Sequence, residues 1–401
     1  MNLKQELLNY NAGAQNGYAA DHKAFFYFLL FTGLQGLMGR IINFFLPLYF
    51  EELGFSGVQT GIYFTFSSAS LIVFSLPMGI TTDKKSIAHI FMLSFLLAAL
   101  SYLGFIFTRS FWVFCLFALV GSFGSQFFNT AKQSLFYKIS NKESPLQAGQ
   151  FQLVTLSFMG AGTILGGFLI TGFSFRHAFI VAAVLNAVMI FLSRFVPKTA
   201  TMAIKWSEYK LALFTPRVFF LILIFFLASL HWGAETVNLS RFLKHDLGLS
   251  ITQSGLYSGT GLVFVGIGAF LGVIIVQKKI IRNLQNLLML GYLLSGIFHV
   301  LMCVNNVYLS FAFRMVHEIG DGFAFLVLYY GIPRIFHIQT IGGCAAFISL
   351  WTSIGAITGS ILFGYIGDTC GDRWPLIITG VILAFLPVLI QLRKRRELQI
   401  I

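Results

Sequence analysis

The chain has 401 residues, 57% of them hydrophobic and only 10% charged, with a mean hydropathy of +0.82. That much apolar surface cannot be hidden in a soluble core, so the composition excludes a soluble enzyme or binding module and makes lipid the solvent. The net charge of +13 does not point to nucleic acid, because Lys and Arg sit in short connections between apolar runs and form no continuous basic surface.

Taken in chain order, Met1 to Asp21 is mixed polar, with neither an apolar signal core nor a small-residue cleavage site, so the first apolar run is expected to stay as the insertion signal. Runs of roughly 20 residues, the length needed to cross hydrocarbon, predict helices over 24–50, 58–79, 88–107, 111–136, 147–171 and 176–195. A second set follows over 217–243, 253–276, 285–304, 306–332, 342–366 and 374–392. With both termini in the cytoplasm, the cytoplasmic connections hold Lys84, Lys85, Lys138, Lys142, Lys198, Lys205, Lys210, Lys278, Lys279, Arg282 and the run Arg393 to Arg396. The outer ones hold Arg109, Arg176, Arg241, Lys244 and Arg373. This bias is the positive-inside signature and gives a multi-pass orientation in a cell inner membrane. Cys115, Cys303 and Cys344 lie in apolar runs and Cys370 in a connection. They form no metal or disulfide spacing, so neither a metal nor a cofactor is expected.

Leu53, Gly54, Ser56, Gln59, Gly61 and Tyr63 recur in the same spacing as Leu247, Gly248, Ser250, Gln253, Gly255 and Tyr257, and Lys84 and Lys85 recur as Lys278 and Lys279. Two parallel repeats follow. The expected fold is an all-α polytopic membrane protein, with twelve transmembrane helices in two pseudo-symmetric six-helix bundles. The bundles are residues 1–196 and 217–401, joined by a cytoplasmic linker at 197–216.

Between the second and third predicted helices, Gly79, Asp83, Lys84 and Lys85 resemble the G-x-x-x-D-(R/K) loop signature of the major facilitator superfamily, with Ser86 where the family has Gly. The second half keeps Lys278 and Lys279 and carries Gln277 in place of the Asp. Phe175, Arg176 and Phe179 resemble the family's aromatic-Arg-x-x-Phe element, as do Arg373 and Trp374. The resemblance covers essentially the whole chain and implies a secondary transporter working by alternating access. In that setting Gly79, Asp83, Lys84 and Lys85 form a gating loop, making charge-assisted contacts in one conformation and releasing them in the other. Gly149, Gly162, Gly166 and Gly167 stand at the spacings of the family's antiporter signature, but Thr163 replaces its Pro and Phe158 another Gly. Gly162-x-x-x-Gly166 is therefore expected to serve close helix packing, and uptake is favoured over efflux.

Ionisable groups in hydrocarbon are costly unless paired or wetted, which makes each one a functional candidate. Arg40, Lys132, Glu235, Arg314, Glu318 and Asp321 all fall on predicted helices one, four, seven and ten, which the resemblance implies line a central cavity. Arg314, His317, Glu318 and Asp321 share one helix face. Helix four offers Ser122, Gln126, Asn129 and Gln133 with Lys132 beside them, helix seven His231, Glu235 and Asn238, and helix one Arg40 and Asn43. The expected substrate-binding set is Arg40, Asn43, Gln126, Asn129, Lys132, Glu235, Arg314 and Glu318. Arg40 and Lys132 are the anion holders, Arg40 because its planar fork grips a carboxylate or phosphate with two bonds. Arg314 and Glu318, one turn apart, could equally form a structural ion pair. Glu235 and Asp321 lack a basic partner one turn away, so with His317 and Glu318 they are the candidates for the coupling proton. His299 is expected to be a packing residue, and Trp232, Tyr329, Tyr330 and Trp351 are aromatics that could shape the pocket.

The reading that follows is a monomeric, proton-coupled carrier of a small anionic or zwitterionic organic solute such as a metabolite, an amino acid or a siderophore. Its partners are that small-molecule substrate, protons and the lipid bilayer, and not nucleic acid. An efflux antiporter for drugs or other exported compounds, or a non-transporting receptor or channel of the same fold, is the alternative. The chain has no P-loop to support direct ATP drive and no H-E-x-x-H or G-x-S-x-G motif to support an enzyme.

Overall fold

The computed structural model describes residues 22–84, 87–140, 145–196, 213–336 and 341–394. They form thirteen α-helices: α1 (His22–Asn43), α2 (Leu46–Glu52), α3 (Gly57–Lys84), α4 (Ile87–Ile106), α5 (Phe111–Ile139), α6 (Leu146–Gly172), α7 (Phe175–Leu192), α8 (Pro216–His245), α9 (Ile251–Gln277), α10 (Leu284–Leu301), α11 (Val307–Ile335), α12 (Ile341–Cys370) and α13 (Arg373–Lys394). Counting α1 with α2 as one crossing gives twelve spans, ten of them long and apolar enough to cross a membrane by composition alone. α11 is not among the ten, as its load of Arg314, His317, Glu318 and Asp321 would suggest.

The predicted helices match these in number and order, with one difference. The expected helix over 24–50 is broken at Phe44 and Phe45. Pro47, in the first turn of α2, has no N–H to offer the carbonyl one turn back, and the chain restarts as a second short helix. Most of the expected 197–216 linker, and Lys85 of the expected gating loop, lie outside the described residues, as do the side chains of Gly79, Asp83 and Lys84.

The internal repeat has a physical cause. Gly54 and Gly248 both take a positive φ, 81° and 68°, which only a residue without Cβ adopts cheaply. Two residues later each copy builds a reciprocal helix start. Gln59 N–H donates to Ser56 Oγ (3.1 Å) and Ser56 N–H to Gln59 Oε1 (2.9 Å), and Ser250 with Gln253 does the same at 3.2 and 2.9 Å. This capping box satisfies donors that the first turn of α3 or α9 would otherwise leave bare.

The packing is itself two-fold. α1 packs on α6 and α7 as α8 packs on α12 and α13, and α5 on α3 and α4 as α11 packs on α9 and α10. The two halves meet through α6 against α9 and α3 against α12. Within the first half, Gly162 and Gly166 let α6 lie on α1: a Cβ at either would run into the backbone carbonyl of Leu37 or Ile41. Gly166→Val is therefore expected to destabilise the protein by about 1–3 kcal/mol, read as a lower Tm in detergent. An unchanged Tm would show that α1 and α6 are free to separate.

Candidate functional site

A cavity of about 550 Å³ lies between the halves, with walls from α1, α5, α8 and α11 and further side chains from α3, α4, α6, α7 and α9. Arg40 and Asn43 reach it from the last turn of α1, beside the break that Pro47 causes. Arg40 has no hydrogen-bond or ion-pair partner among the described residues, although Glu235, Glu318 and Arg314 are all within Coulombic reach. The first-half wall is rich in hydroxyls whose protons are spent on helix carbonyls, Ser67 on Phe64, Ser94 on Ile90 and Ser101 on Phe117. Their oxygen lone pairs remain as acceptors.

Opposite stands a buried charge cluster on α8, α10 and α11. Arg314 is bonded to both oxygens of Glu235, Nη1 to Oε1 and Nη2 to Oε2 at 3.1 Å. Its Nη2 also lies 2.5 Å from Glu318 Oε1. Asp321 accepts from Ser295 Oγ at 2.6 Å and from Trp232 Nε1 at 3.0 Å, and His231 Nε2 stands 3.1 Å from its Oδ2. His317 Nδ1 donates to the Ser295 carbonyl at 2.8 Å. Its Nε2 lies 3.3 Å from Glu235 Oε1, and His299 Nδ1 lies 3.3 Å from the same oxygen.

Glu235 and Asp321 were expected to lack a basic partner one turn away on their own helix; each is nevertheless paired across helices. Their partners, Arg314 and His231, come from the facing helix, where spacing along one helix cannot reveal them. The intrahelical Arg314–Glu318 pair is present. His299 is no isolated packing residue, since its ring centroid is 4.6 Å from that of His317. Among the expected substrate contacts, Arg40, Asn43, Glu235, Arg314 and Glu318 line the cavity; Gln126, Asn129 and Lys132 do not. The lining face of α5 is instead Gly121, Ser122, Ser125 and Phe128. Gln126 is buried and bonds Thr130 on its own helix at 2.8 Å, and Lys132, further toward the helix end, lies 5.3 Å over the Phe128 ring. Of the aromatics, Trp232 lines the cavity, whereas Tyr329 packs on Phe136, Tyr137 and Phe151.

Glu235, His299 and His317 bring one potential ligand atom each close together, as do His231, His317 and Asp321. In the first group Arg314 already occupies the same Glu235 oxygen, and a guanidinium bonded to the shared ligand opposes a dication there.

Contacts between the halves lie at both ends of the cavity. At the end away from the chain termini, Asp368 accepts the N–H groups of Gly57 (3.0 Å) and Val58 (3.1 Å) and the Arg241 Nη1 donor (3.0 Å). A carboxylate from α12 thus sits on the positive end of α3 in the other half. Glu51 pairs there with Lys244 at 3.2 Å and His245 at 3.1 Å. Asp372, in the turn between α12 and α13, is pushed up to about 6 by burial, against the pull of Arg241 at 3.2 Å. At the terminus end the described contacts between the halves include aromatic ones, Tyr329 against Phe136, Tyr137 and Phe151, and a Ser349 hydroxyl donating to Gln133 Oε1 at 3.4 Å.

The sequence profile described as Major Facilitator Superfamily matches residues 28–292. The chain belongs to the major facilitator superfamily. Solved transporters share the superfamily fold over nearly the whole chain. The human organic anion transporter MFSD10 (TETRAN) matches with a TM-score of 0.69 at 16% identity, covering 91% of this chain and 98% of that one. The nucleoside transporter NupG gives 0.70 at 13%, covering 93% and 99%. A bacterial homolog of the human lysosomal transporter Spinster, inward-facing and unoccupied, gives 0.73 at 12%, covering 94% and 97%. No curated protein matches the sequence. This superfamily member is a multi-pass membrane transporter rather than an enzyme.

Proposed function

We propose that the chain is a secondary active transporter that carries a small anionic or zwitterionic organic solute through the central cavity by alternating access, coupled to protons. It acts as a monomer in the cell inner membrane with both termini cytoplasmic. The two six-helix bundles, 1–196 and 217–401, rock about the cavity with 197–216 as the linker. Asp83 and its neighbouring lysines gate the cytoplasmic end.

The observation that carries this reading is Arg40. Of the intramembrane cations Arg40, Lys132 and Arg314, it alone both lines the cavity and lacks a partner among the described residues, whereas Arg314 is held by two carboxylates and Lys132 is off the wall. A cation presented to a polar cavity is a counterion site for a solute, and the serine lone pairs of the first-half wall favour a solute that also carries N–H or O–H donors.

Charge balance supports proton coupling. Arg314 is paired with Glu235 and Glu318, while Asp321 stands against His231, so the cluster stays negative unless its histidines hold protons, and Arg40 is the remaining nearby cation. An anion bound to Arg40 withdraws that compensation and favours proton retention, so solute and proton travel together.

The test is a thermal-shift screen of the purified protein against carboxylate metabolites, amino acids and siderophores, since a ligand of the folded state raises its Tm. A stabilising hit is expected to lose most of its shift in Arg40→Lys, because an ammonium cannot reproduce the two-bond fork. A hit of equal strength in Arg40→Lys and Arg40→Gln would remove Arg40 from the site.

A further inference from the structure

We infer that His231 and Asp321 together form a proton-binding site, with one proton shared between His231 Nε2 and Asp321 Oδ2. As the place where the coupling proton rides, this deepens the proton-coupled reading above and rests on it. As a binding site, it stands on hydrogen-bond bookkeeping alone.

His231 Nδ1 is bonded to the Ala228 carbonyl of its own helix. A carbonyl only accepts, so Nδ1 carries the hydrogen. In a neutral imidazole Nε2 is then a bare lone pair, yet it stands 3.1 Å from a carboxylate oxygen that is also acceptor-only. Two buried acceptors at that distance repel; His231 is 1% and Asp321 4% exposed. The contact needs one proton more than a neutral histidine and a carboxylate supply between them. Ser295 Oγ and Trp232 Nε1 both donate to Asp321, which favours the carboxylate and places the proton on the imidazole.

The neighbouring group carries no such requirement. His317 Nδ1 is committed to the Ser295 carbonyl, so its neutral Nε2 is an acceptor, but His299 Nδ1 can carry a hydrogen toward it and toward Glu235 Oε1. His299 Nε2, which has no hydrogen-bond partner among the described residues, is then the bare lone pair. His317 Nε2 and Glu235 Oε1 lie 3.3 Å apart, but the single hydrogen on His299 Nδ1 can be shared between them; among the described residues no third donor bonds His231 Nε2 in this way, and that difference singles out His231 with Asp321.

The charged and titratable groups around this pair are Glu235 on α8, Tyr292 and His299 on α10, and Arg314, His317 and Glu318 on α11. Tyr257 on α9 bonds Ser310 instead, Asp368 on α12 is engaged with Arg241, and Arg40 on α1 stands across the cavity. Asp321 and Trp232 line the cavity, so the proton has an exit. Its loss leaves two facing acceptors and removes one tie between α8 and α11, which links proton occupancy to helix position.

Trp232 provides a readout that needs no substrate. Its indole N–H is bonded to Asp321 Oδ2 at 3.0 Å, and its ring stacks on Phe325 at 5.2 Å. The full-length protein is labelled with 5-fluorotryptophan, and the 19F resonance of Trp232 is assigned by its loss in Trp232→Phe. The resonance is followed from about pH 4 to 10. One transition is expected, displaced by about one pH unit or more in His231→Gln and absent in Asp321→Asn. Ser295→Ala removes a single bond to Asp321 and is expected to move the midpoint with the fold intact, which covers the case of Asp321→Asn failing to fold. A resonance that does not titrate, or one whose midpoint is the same in His231→Gln and Ser295→Ala as in the parent, overturns the site. If it titrates as expected while a pH gradient drives no accumulation of any solute, the proton site stands and the coupled reading fails.

Discussion

Arg314→Gln is expected to be the most damaging single substitution in the membrane interior, costing about 3–5 kcal/mol and showing as poor recovery and a sharply lower Tm. The physical reason is what it leaves behind. Arg314 is bonded to Glu235 on α8 and ion-paired with Glu318 on its own helix, so its removal puts two carboxylates face to face with no cation between them. The double variant Arg314→Gln with Glu235→Gln is expected to recover part of the loss, because one of the stranded charges goes with it. A single variant as stable as the parent would show that the pair does not hold α8 to α11.

Asp321→Asn is expected to separate exchange from accumulation. With the solute found in the thermal-shift screen, counterflow in proteoliposomes should stay within a few fold of the parent, since exchange requires only the conformational change. Accumulation driven by a pH gradient should disappear, since the amide cannot share a proton with His231. Both measurements belong in the same vesicles. Full pH-driven accumulation by Asp321→Asn would move the coupling proton elsewhere, with His317 and Glu318 next in line.

Much of the fold is legible in the sequence because lipid enforces long apolar runs, and twelve of these can be counted. The repeat is legible because its signature, Ser56 with Gln59 and Ser250 with Gln253, is a local helix-start device whose spacing is fixed by one turn. The break in the first span carried a local signal too, Pro47, which the hydrophobic count passed over. The site was read unevenly. Arg314, Glu318 and Asp321 share a face that spacing reveals, but what each binds is set by helix rotation and depth, which no single segment encodes. Hence spacing offered Glu235 no basic partner one turn away, and its partner Arg314 comes from another helix. His299 was expected only to pack and stands over His317. On α5 the polar stripe through Ser122, Gln126 and Asn129 was read as one face, but of these only Ser122, with Ser125 outside the stripe, lines the wall. In a membrane helix, amides satisfied along their own segment look the same in sequence as those that face a cavity.

Among the described residues the two ends of the cavity are held by different contacts, and this makes the resting conformation sensitive to conditions on the two sides in different ways. Where Asp368, Arg241, Glu51 and Lys244 hold the halves together, attraction is partly exposed to water and weakens as ionic strength rises. Where Tyr329 meets Phe136, Tyr137 and Phe151, the contact is apolar, and salts that strengthen burial tighten it. Salt on the side away from the chain termini would therefore loosen one door while leaving the described contacts at the other shut, so the molecule's waiting posture depends on the salinity it meets as well as on its cargo.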